Sequence, residues 1–100
     1  MNDEQLFRNP ELTIRDVARE LATNRLYVSR AINSTFGISF TVYLNKKRIE
    51  HSIGLMKEFP LKSMENVAIE SGFLSTKAFY RKFHEVMNDS PHSYMKKLKP

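Results

Sequence analysis

The sequence predicts an all-α fold of seven helices. Residues that cap helices repeatedly precede apolar residues spaced three or four apart, which is the periodicity of a helix with one buried face. Strand signals do not recur in this way. The third observation is an internal repeat, because Val17-Ala18-x-Glu20 returns fifty residues later as Val67-Ala68-x-Glu70.

Start and stop signals place the seven helices in order. A short leading helix is predicted around Glu4 to Arg8. The other six are predicted to begin at side chains that can accept a hydrogen bond from helix amides: Thr13, Asn24, Ser39, Ser63, Ser75 and Ser90. Asp16 occupies the capping-box position after Thr13, and Pro91 follows Ser90 at the favoured first helical position. Helix-breaking residues provide the stops: Pro10, Gly37, Pro60 and Gly72.

The apolar periodicity predicts which side of each helix is buried. The expected inward residues are Ile14, Val17, Ala18 and Leu21; Val28, Ala31, Ile32 and Phe36; Tyr43, Ile49, Ser52 and Met56; Val67 and Ala68; Phe79, Phe83, Val86 and Met87; Tyr94 and Leu98. Phe83 is expected to be a buried anchor of the second half of the chain, with Ile32 as its counterpart in the first.

The repeat extends well beyond its first four residues. After one inserted residue the offset becomes 51 and pairs caps, core positions and an arginine: Asn24 with Ser75, Val28 with Phe79, Arg30 with Arg81, Ile32 with Phe83, Ser39 with Ser90, and Tyr43 with Tyr94. Each copy is a short helix, a turn of three or four residues and a second capped helix, which is helix-turn-helix spacing. We therefore predict two helix-turn-helix subdomains, residues 1–38 and 60–100, joined by a long linker helix over residues 39–59.

The outward faces of the two second helices contain no acidic residue. They are Arg25, Leu26, Ser29, Arg30 and Asn33 in the first copy, and Thr76, Lys77, Tyr80, Arg81 and His84 in the second. Arginine can bind guanine with two hydrogen bonds, and such a helix fits a major groove about 12 Å wide. An ordinary solvated surface would explain either face alone, but two acid-free faces at matched positions favour contact with DNA bases. Candidate phosphate contacts are Asn24, Lys46, Lys47, Ser75 and Lys82.

The composition and the charge distribution are typical of a small globular domain that binds a polyanion. The net charge of +5 is concentrated in residues 24–57 and 76–100, whereas residues 1–23 and 58–75 are each net negative. Hydrophobic residues make up 41% of the chain, enough for a core, and no apolar run is long enough to span a membrane. The acidic start Met-Asn-Asp-Glu does not resemble a signal peptide, and the absence of cysteine suits a reducing cytoplasm.

A known family pattern fits both halves of the chain. The second half carries Ser71-Gly72-Phe73-Leu74-Ser75, Phe79, Arg81-Lys82-Phe83, Asn88-Asp89-Ser90-Pro91 and Tyr94. The first half carries Val17-Ala18, Val28, Arg30, Phe36-Gly37-Ile38-Ser39, Tyr43-Leu44 and Arg48-Ile49. Together they resemble the DNA-binding domain of the AraC/XylS family of bacterial transcription regulators over residues 12 to 98. The chain departs from the pattern at Asn88, where Gly is usual, and at Ala31, Phe40 and Met95.

The resemblance implies a homeodomain-like pair of helix-turn-helix units that reads promoter DNA. It places base-reading residues at Arg25, Leu26, Ser29 and Arg30, and at Thr76, Lys77, Tyr80 and Arg81. It also implies RNA polymerase as a partner and a sensing or dimerisation domain in a longer protein. No cofactor is expected.

Other functions remain open from the residues alone. A helical protein-interaction module would explain the amphipathic helices but not the two acid-free faces, and basic helices by themselves also suit RNA or non-specific nucleic-acid binding. An enzyme is disfavoured because no phosphate-binding glycine loop or nucleophile motif occurs. No metal site is expected, because His51, His84 and His92 have no cysteines to complete a zinc site.

Overall fold

The computed structural model describes residues 7–98, and within that range it contains six helices and no strand. These helices are α1 (Ile14–Glu20), α2 (Arg25–Phe36), α3 (Phe40–Glu58), α4 (Met64–Glu70), α5 (Thr76–Met87) and α6 (Pro91–Leu98). The all-α prediction is confirmed. The leading helix predicted around Glu4 to Arg8 lies mostly outside the described residues, and Phe7 and Arg8 themselves form a turn rather than a helix.

All six predicted capping side chains begin their helices. Thr13 and Asp16 form the reciprocal capping box, with the Asp16 amide donating to Thr13 Oγ1 at 3.2 Å and the Thr13 amide donating to Asp16 Oδ2 at 3.0 Å. The backbone amide of Thr13 is the main cause that lowers the pKa of the Asp16 carboxyl. The remaining helices begin at accepting side chains of Asn24, Ser39, Ser63, Ser75 and Ser90.

Two left-handed residues end the 12-residue helices α2 and α5, as the sequence predicts. Gly37 follows α2 with φ 71°, and Asn88 follows α5 with φ 57° and ψ 34°. Asparagine tolerates this conformation better than most residues, so the turn before α6 keeps its geometry without the usual glycine. The departure at Asn88 therefore leaves the fold intact.

Two separate cores hold the helices together. The first consists of Val17, Ala18 and Val28, from α1 and α2. The second is larger and includes three phenylalanines: Ile49, Met56, Val67, Ala68, Phe73, Phe79 and Phe83. Phe83 is fully buried, with its ring 5.8 Å from that of Phe79 and 5.7 Å from that of Tyr94. The anchor predicted for the second half of the chain is therefore in place.

The inward face predicted for the first half is only partly correct. Ile32 is half-buried and Val28 is the buried residue of α2, whereas Ala31 is exposed and Phe36 is 54% exposed. Because α1 is only seven residues long, it covers a narrow stripe of α2, and Phe36 at the end of α2 packs instead against the Tyr43 ring at 4.9 Å. An open apolar cavity of about 140 Å³, lined partly by Leu21 and Ala31, lies beside this core.

Two further inward predictions are corrected at helix ends. Leu21 caps the C-terminus of α1 and is 43% exposed, because it lies where the helix ends and lines the open cavity beside the first core. Leu98 is exposed to the same degree in the last turn of α6. The other inward residues of α3 to α6 are buried or half-buried.

The segment that precedes α1 crosses from one half of the fold to the other. Phe7 is buried and its ring meets that of His51 on α3 at 5.5 Å. Arg48, also on α3, donates from Nε to the Phe7 carbonyl at 2.7 Å and from Nη2 to the Asn9 carbonyl at 2.8 Å. Arg8 donates from Nε to the Glu70 carbonyl at the end of α4, at 2.8 Å. This segment, Phe7–Asn9, is called the strap below.

Candidate nucleic-acid interface

The repeat seen in the sequence is also present in the backbone. The turn after α1 is closed by the Thr23 amide donating to the Ala18 carbonyl at 2.8 Å, and the turn after α4 by the Phe73 amide donating to the Ala68 carbonyl at 2.9 Å. Both are Schellman turns, which require a left-handed residue between the two helices. Ala22 supplies it in the first copy with φ 53°, and Gly72 in the second with φ 95°. Each half of the chain is thus a helix, a tight turn and a second helix.

The two second helices match closely in length and start. Both α2 and α5 contain 12 residues, and each follows a side chain that accepts from the third helical amide, Asn24 at 2.9 Å and Ser75 at 3.1 Å. Neither helix has an acidic residue in its first turn. The positive end of each helix dipole is therefore left available to an anion such as a phosphate.

The predicted outward face of α2 is exposed along its length. Arg25, Leu26, Ser29, Arg30 and Asn33 are all exposed. Within residues 7–98, neither Arg25 nor Arg30 forms an ion pair with a carboxylate. Both guanidinium groups can therefore bind an external acceptor without breaking an internal bond.

The predicted outward face of α5 is less uniform. Lys77, Arg81 and His84 are exposed, but Thr76 and Tyr80 are half-buried. The Tyr80 hydroxyl lies 3.1 Å from His92 Nε2, and the Tyr80 ring meets the His92 ring edge-on at 6.0 Å. Because α6 lies beside α5, it covers part of Tyr80, so this side chain has a role in packing as well as an exposed edge.

The side chains predicted to contact phosphates differ in the internal hydrogen bonds and ion pairs that they already form. Asn24 and Ser75 are exposed but already accept the capping hydrogen bonds, and Lys46 is exposed on α3. Lys47 lies 3.8 Å from Glu50 and above the Tyr43 ring, and Lys82 lies 3.1 Å from Glu85. Surface ion pairs of this kind contribute only about 0–1 kcal/mol, so a phosphate can compete for either lysine.

One functional candidate, Arg48, was missed by the sequence-based assignment of site residues. It is only 8% exposed, and burial lowers its pKa. Its hydrogen-bond acceptors are main-chain carbonyls of the strap, which carry no side-chain signal in the sequence. The only available signal was its place in the family pattern next to Ile49.

Metal binding and membrane insertion find no support in the part of the chain that the structure describes. Over residues 7–98, no cluster of three histidine or acidic side chains is placed to hold a metal ion. None of the helices between these limits has the length and apolar character needed to cross a bilayer.

Comparison with known proteins identifies the family. A family profile described as a helix-turn-helix domain matches residues 17–97. The chain is 38% identical over 82 residues to the TCP pilus virulence regulatory protein of Vibrio cholerae. The aligned segment covers 80% of this chain and 28% of that protein. The C-terminal domain of AraT, a response regulator from Geobacillus stearothermophilus, superposes with a TM-score of 0.84 at 28% identity, covering 97% of this chain and 79% of that one.

A third similarity concerns the fold alone. The DNA-binding domain of AdpA, described as a global transcriptional factor and solved in complex with a target DNA, superposes with a TM-score of 0.80 at 21% identity. It covers 95% of this chain and 84% of that one. The present chain thus spans about four fifths of such isolated domains but little more than a quarter of the Vibrio cholerae regulator.

These matches confirm the family resemblance seen in the sequence. The profile extends from Val17 in α1 to residue 97 in α6 and so includes both turns and α3 between them, and the relatives are named as regulators. The prediction that the chain is not an enzyme is confirmed on the same grounds. The chain belongs to the AraC-type helix-turn-helix family of DNA-binding transcription regulators.

Proposed function

We propose that the chain binds double-stranded promoter DNA in a sequence-specific manner, with α2 and α5 in successive major-groove segments of one duplex. The observation that carries the proposal is the pair of matched 12-residue helices whose exposed faces hold basic and polar side chains, with Glu85 of α5 as their one carboxylate. The DNA-binding domain of AdpA, which shares this fold, was solved in complex with a target DNA, which supports DNA as the ligand.

The length of α3 supports binding by both units at once. Its 19 residues span about 28 Å at 1.5 Å per residue, and the longest dimension of the described chain is 44 Å. Successive major-groove segments on one side of B-DNA lie about 34 Å apart. Units at residues 1–38 and 60–100, joined by the linker helix over 39–59, can therefore lie on the same side of a duplex.

The exposed side chains suggest a division of roles. We assign base contacts to Arg25, Leu26, Ser29, Arg30 and Asn33 of α2, and to Thr76, Lys77, Tyr80, Arg81 and His84 of α5. We assign phosphate contacts to Asn24, Lys46, Lys47, Ser75 and Lys82. Since the two faces differ in sequence, the target site is expected to be asymmetric.

The wider role follows from the family. We propose that the chain acts in bacterial transcription in the cytoplasm, where it contacts RNA polymerase at promoters. The full-length relative is more than three times as long as the matched segment, which supports the presence of a sensing or dimerisation domain in the complete protein.

Footprinting of the 100-residue chain on a DNA sequence selected from a random pool tests the proposal. Two protected major-groove patches about one helical turn apart, on a site without a palindrome, are the expected result. The affinity should fall steeply with salt concentration as phosphate contacts release counterions. Protection of one groove segment would contradict the two-unit mode, and equal affinity for all sequences would indicate a non-specific binder.

Arg30 and Arg81 provide a residue-level prediction. Replacing either arginine with alanine should weaken specific binding by about 1–3 kcal/mol and relax the preference at the base pairs that it reads, because the bidentate contact is lost. Competition assays with single-base variants of the site measure both effects. Lys57→Ala removes one exposed charge from α3 and is the matched control. Loss of affinity by the same factor for every sequence would show that the arginines contact phosphates.

A further inference from the structure

The strap connects the two units at a place separate from the DNA-facing helices. At one end, Arg8 binds the last turn of α4 through the Glu70 carbonyl, and Phe7 lies against His51 of α3. At the other end, the Asn9 carbonyl accepts from the Leu12 amide at 3.1 Å, and Leu12 packs on the core of the first unit. The strap therefore runs from the second unit to the first across the side of α3.

The second unit has a slot that fits the strap. A Cβ atom placed on Gly72 would lie 2.6 Å from the Phe7 carbonyl oxygen and 3.0 Å from the Arg8 Cα. It would also lie 3.0 Å from Arg48 Nε, so the strap, the guanidinium and the α4–α5 turn meet at one point. Glycine at this position thus allows the strap to contact the turn that leads into α5.

Arg48 holds the strap in this slot. It donates one hydrogen bond to each of two strap carbonyls, those of Phe7 and Asn9. Burying a guanidinium opposes folding unless its donors are satisfied, and burial accordingly lowers the pKa of Arg48. A planar fork of donors is suited to two acceptors at fixed separation, which a lysine ammonium cannot reproduce.

The two cores have no residue in common, and the helices of both units pack on α3. One connection is α3, which continues from one unit into the other. The strap is a second connection, and two connections at different points restrict both the distance and the angle between α2 and α5.

We propose that Arg48 is a positioning residue that, through the strap, fixes the separation of the two recognition helices and makes the chain selective for the spacing between its two half-sites. The inference rests on the two-unit binding proposed above. Two linked binding units reach their highest effective concentration only where the linkage matches the separation of the sites, and a looser linkage lowers that maximum.

Binding to a series of duplexes with one or two base pairs inserted or deleted between the half-sites tests the proposal. Arg48→Met should lose about tenfold in affinity at the preferred spacing and less at the altered spacings, so that the spacing preference becomes flatter. Arg48→Lys should recover only part of the spacing preference. The affinity of both variants for a single half-site should equal that of the unaltered chain. Lys57→Met, an exposed charge on the same helix, is the control. An equal loss at every spacing, or an unchanged preference, would overturn the proposal.

A measurement without DNA separates this proposal from the proposed function. The chain has no cysteine, so spin labels at Ser34→Cys on α2 and Asn66→Cys on α4 report the distance between the units. The distance distribution should be narrow in the otherwise unchanged chain and broader with Arg48→Met. If circular dichroism shows that Arg48→Met is unfolded, Arg8→Ala removes the exposed Arg8–Glu70 bond and should broaden the distribution to a smaller extent. An unchanged distribution in the folded variants refutes the role of the strap, whereas failure of the unaltered chain to bind DNA refutes only the proposed function.

Discussion

Replacing Phe83 with alanine is expected to destabilise the second unit by about 3–5 kcal/mol. The ring is fully buried between Phe79 and Tyr94, so its removal takes away apolar contacts and leaves a cavity that its aromatic neighbours cannot fill. For a domain of this size the melting temperature should fall by well over 10 °C, at about 4–8 °C per kcal/mol. Thermal unfolding followed by circular dichroism measures the change.

The matched position in the first unit is the control for this substitution. Ile32 is offset from Phe83 by 51 residues but is only half-buried, so Ile32→Ala should cost less than about 2 kcal/mol. If the Phe83→Ala variant had the same melting temperature as the original protein, the inward face of α5 would be misassigned. The assignment of Arg81 and Lys77 to the outward face would then also be wrong.

Gly72→Ala is expected to have the second largest effect, a loss of about 2–4 kcal/mol in the free energy of unfolding. A side chain at φ 95° is strained, and its Cβ would lie 2.6 Å from the Phe7 carbonyl oxygen, so either the turn or the strap has to move. Chemical denaturation measures the loss in free energy of unfolding, and the slope of the transition shows whether the unfolding remains cooperative.

Ala22 occupies the equivalent turn of the first unit and gives the reverse test. It has φ 53°, which costs an alanine about 1 kcal/mol, so Ala22→Gly should be neutral or stabilising by up to about that amount. If Gly72→Ala is harmless while Ala22→Gly is destabilising, the left-handed turn geometry described for both units is incorrect.

The features that could be predicted from the sequence are those governed by local rules. Caps such as Thr13 and Ser75 act on amides three residues away, so their identity and spacing are sufficient to place a helix start. The repeat offset placed the two turns and the two candidate recognition helices, because matched residues adopt matched conformations. The left-handed residue at Asn88 was also predictable, since it stands where a glycine is usual.

The features that could not be predicted depend on neighbours distant in the sequence. The exposure of Phe36 depends on how much of α2 the short α1 covers, and the partial burial of Tyr80 depends on where α6 places His92. The partners of Arg48 are main-chain carbonyls about forty residues away, and no sequence pattern marks them. The positive φ of Ala22 could not be predicted, because alanine is not a residue type that favours the left-handed conformation.

The unequal cores imply that the two units differ in local stability. Three aliphatic side chains beside an open cavity hold α1 and α2, whereas seven buried residues with three aromatic rings hold α3 to α5 in the part of the chain that the structure describes. Because the free energy of local opening follows the buried apolar contacts, the first unit should open more often than the second. The backbone amides of α2 are therefore expected to exchange their hydrogens with solvent sooner than those of α5.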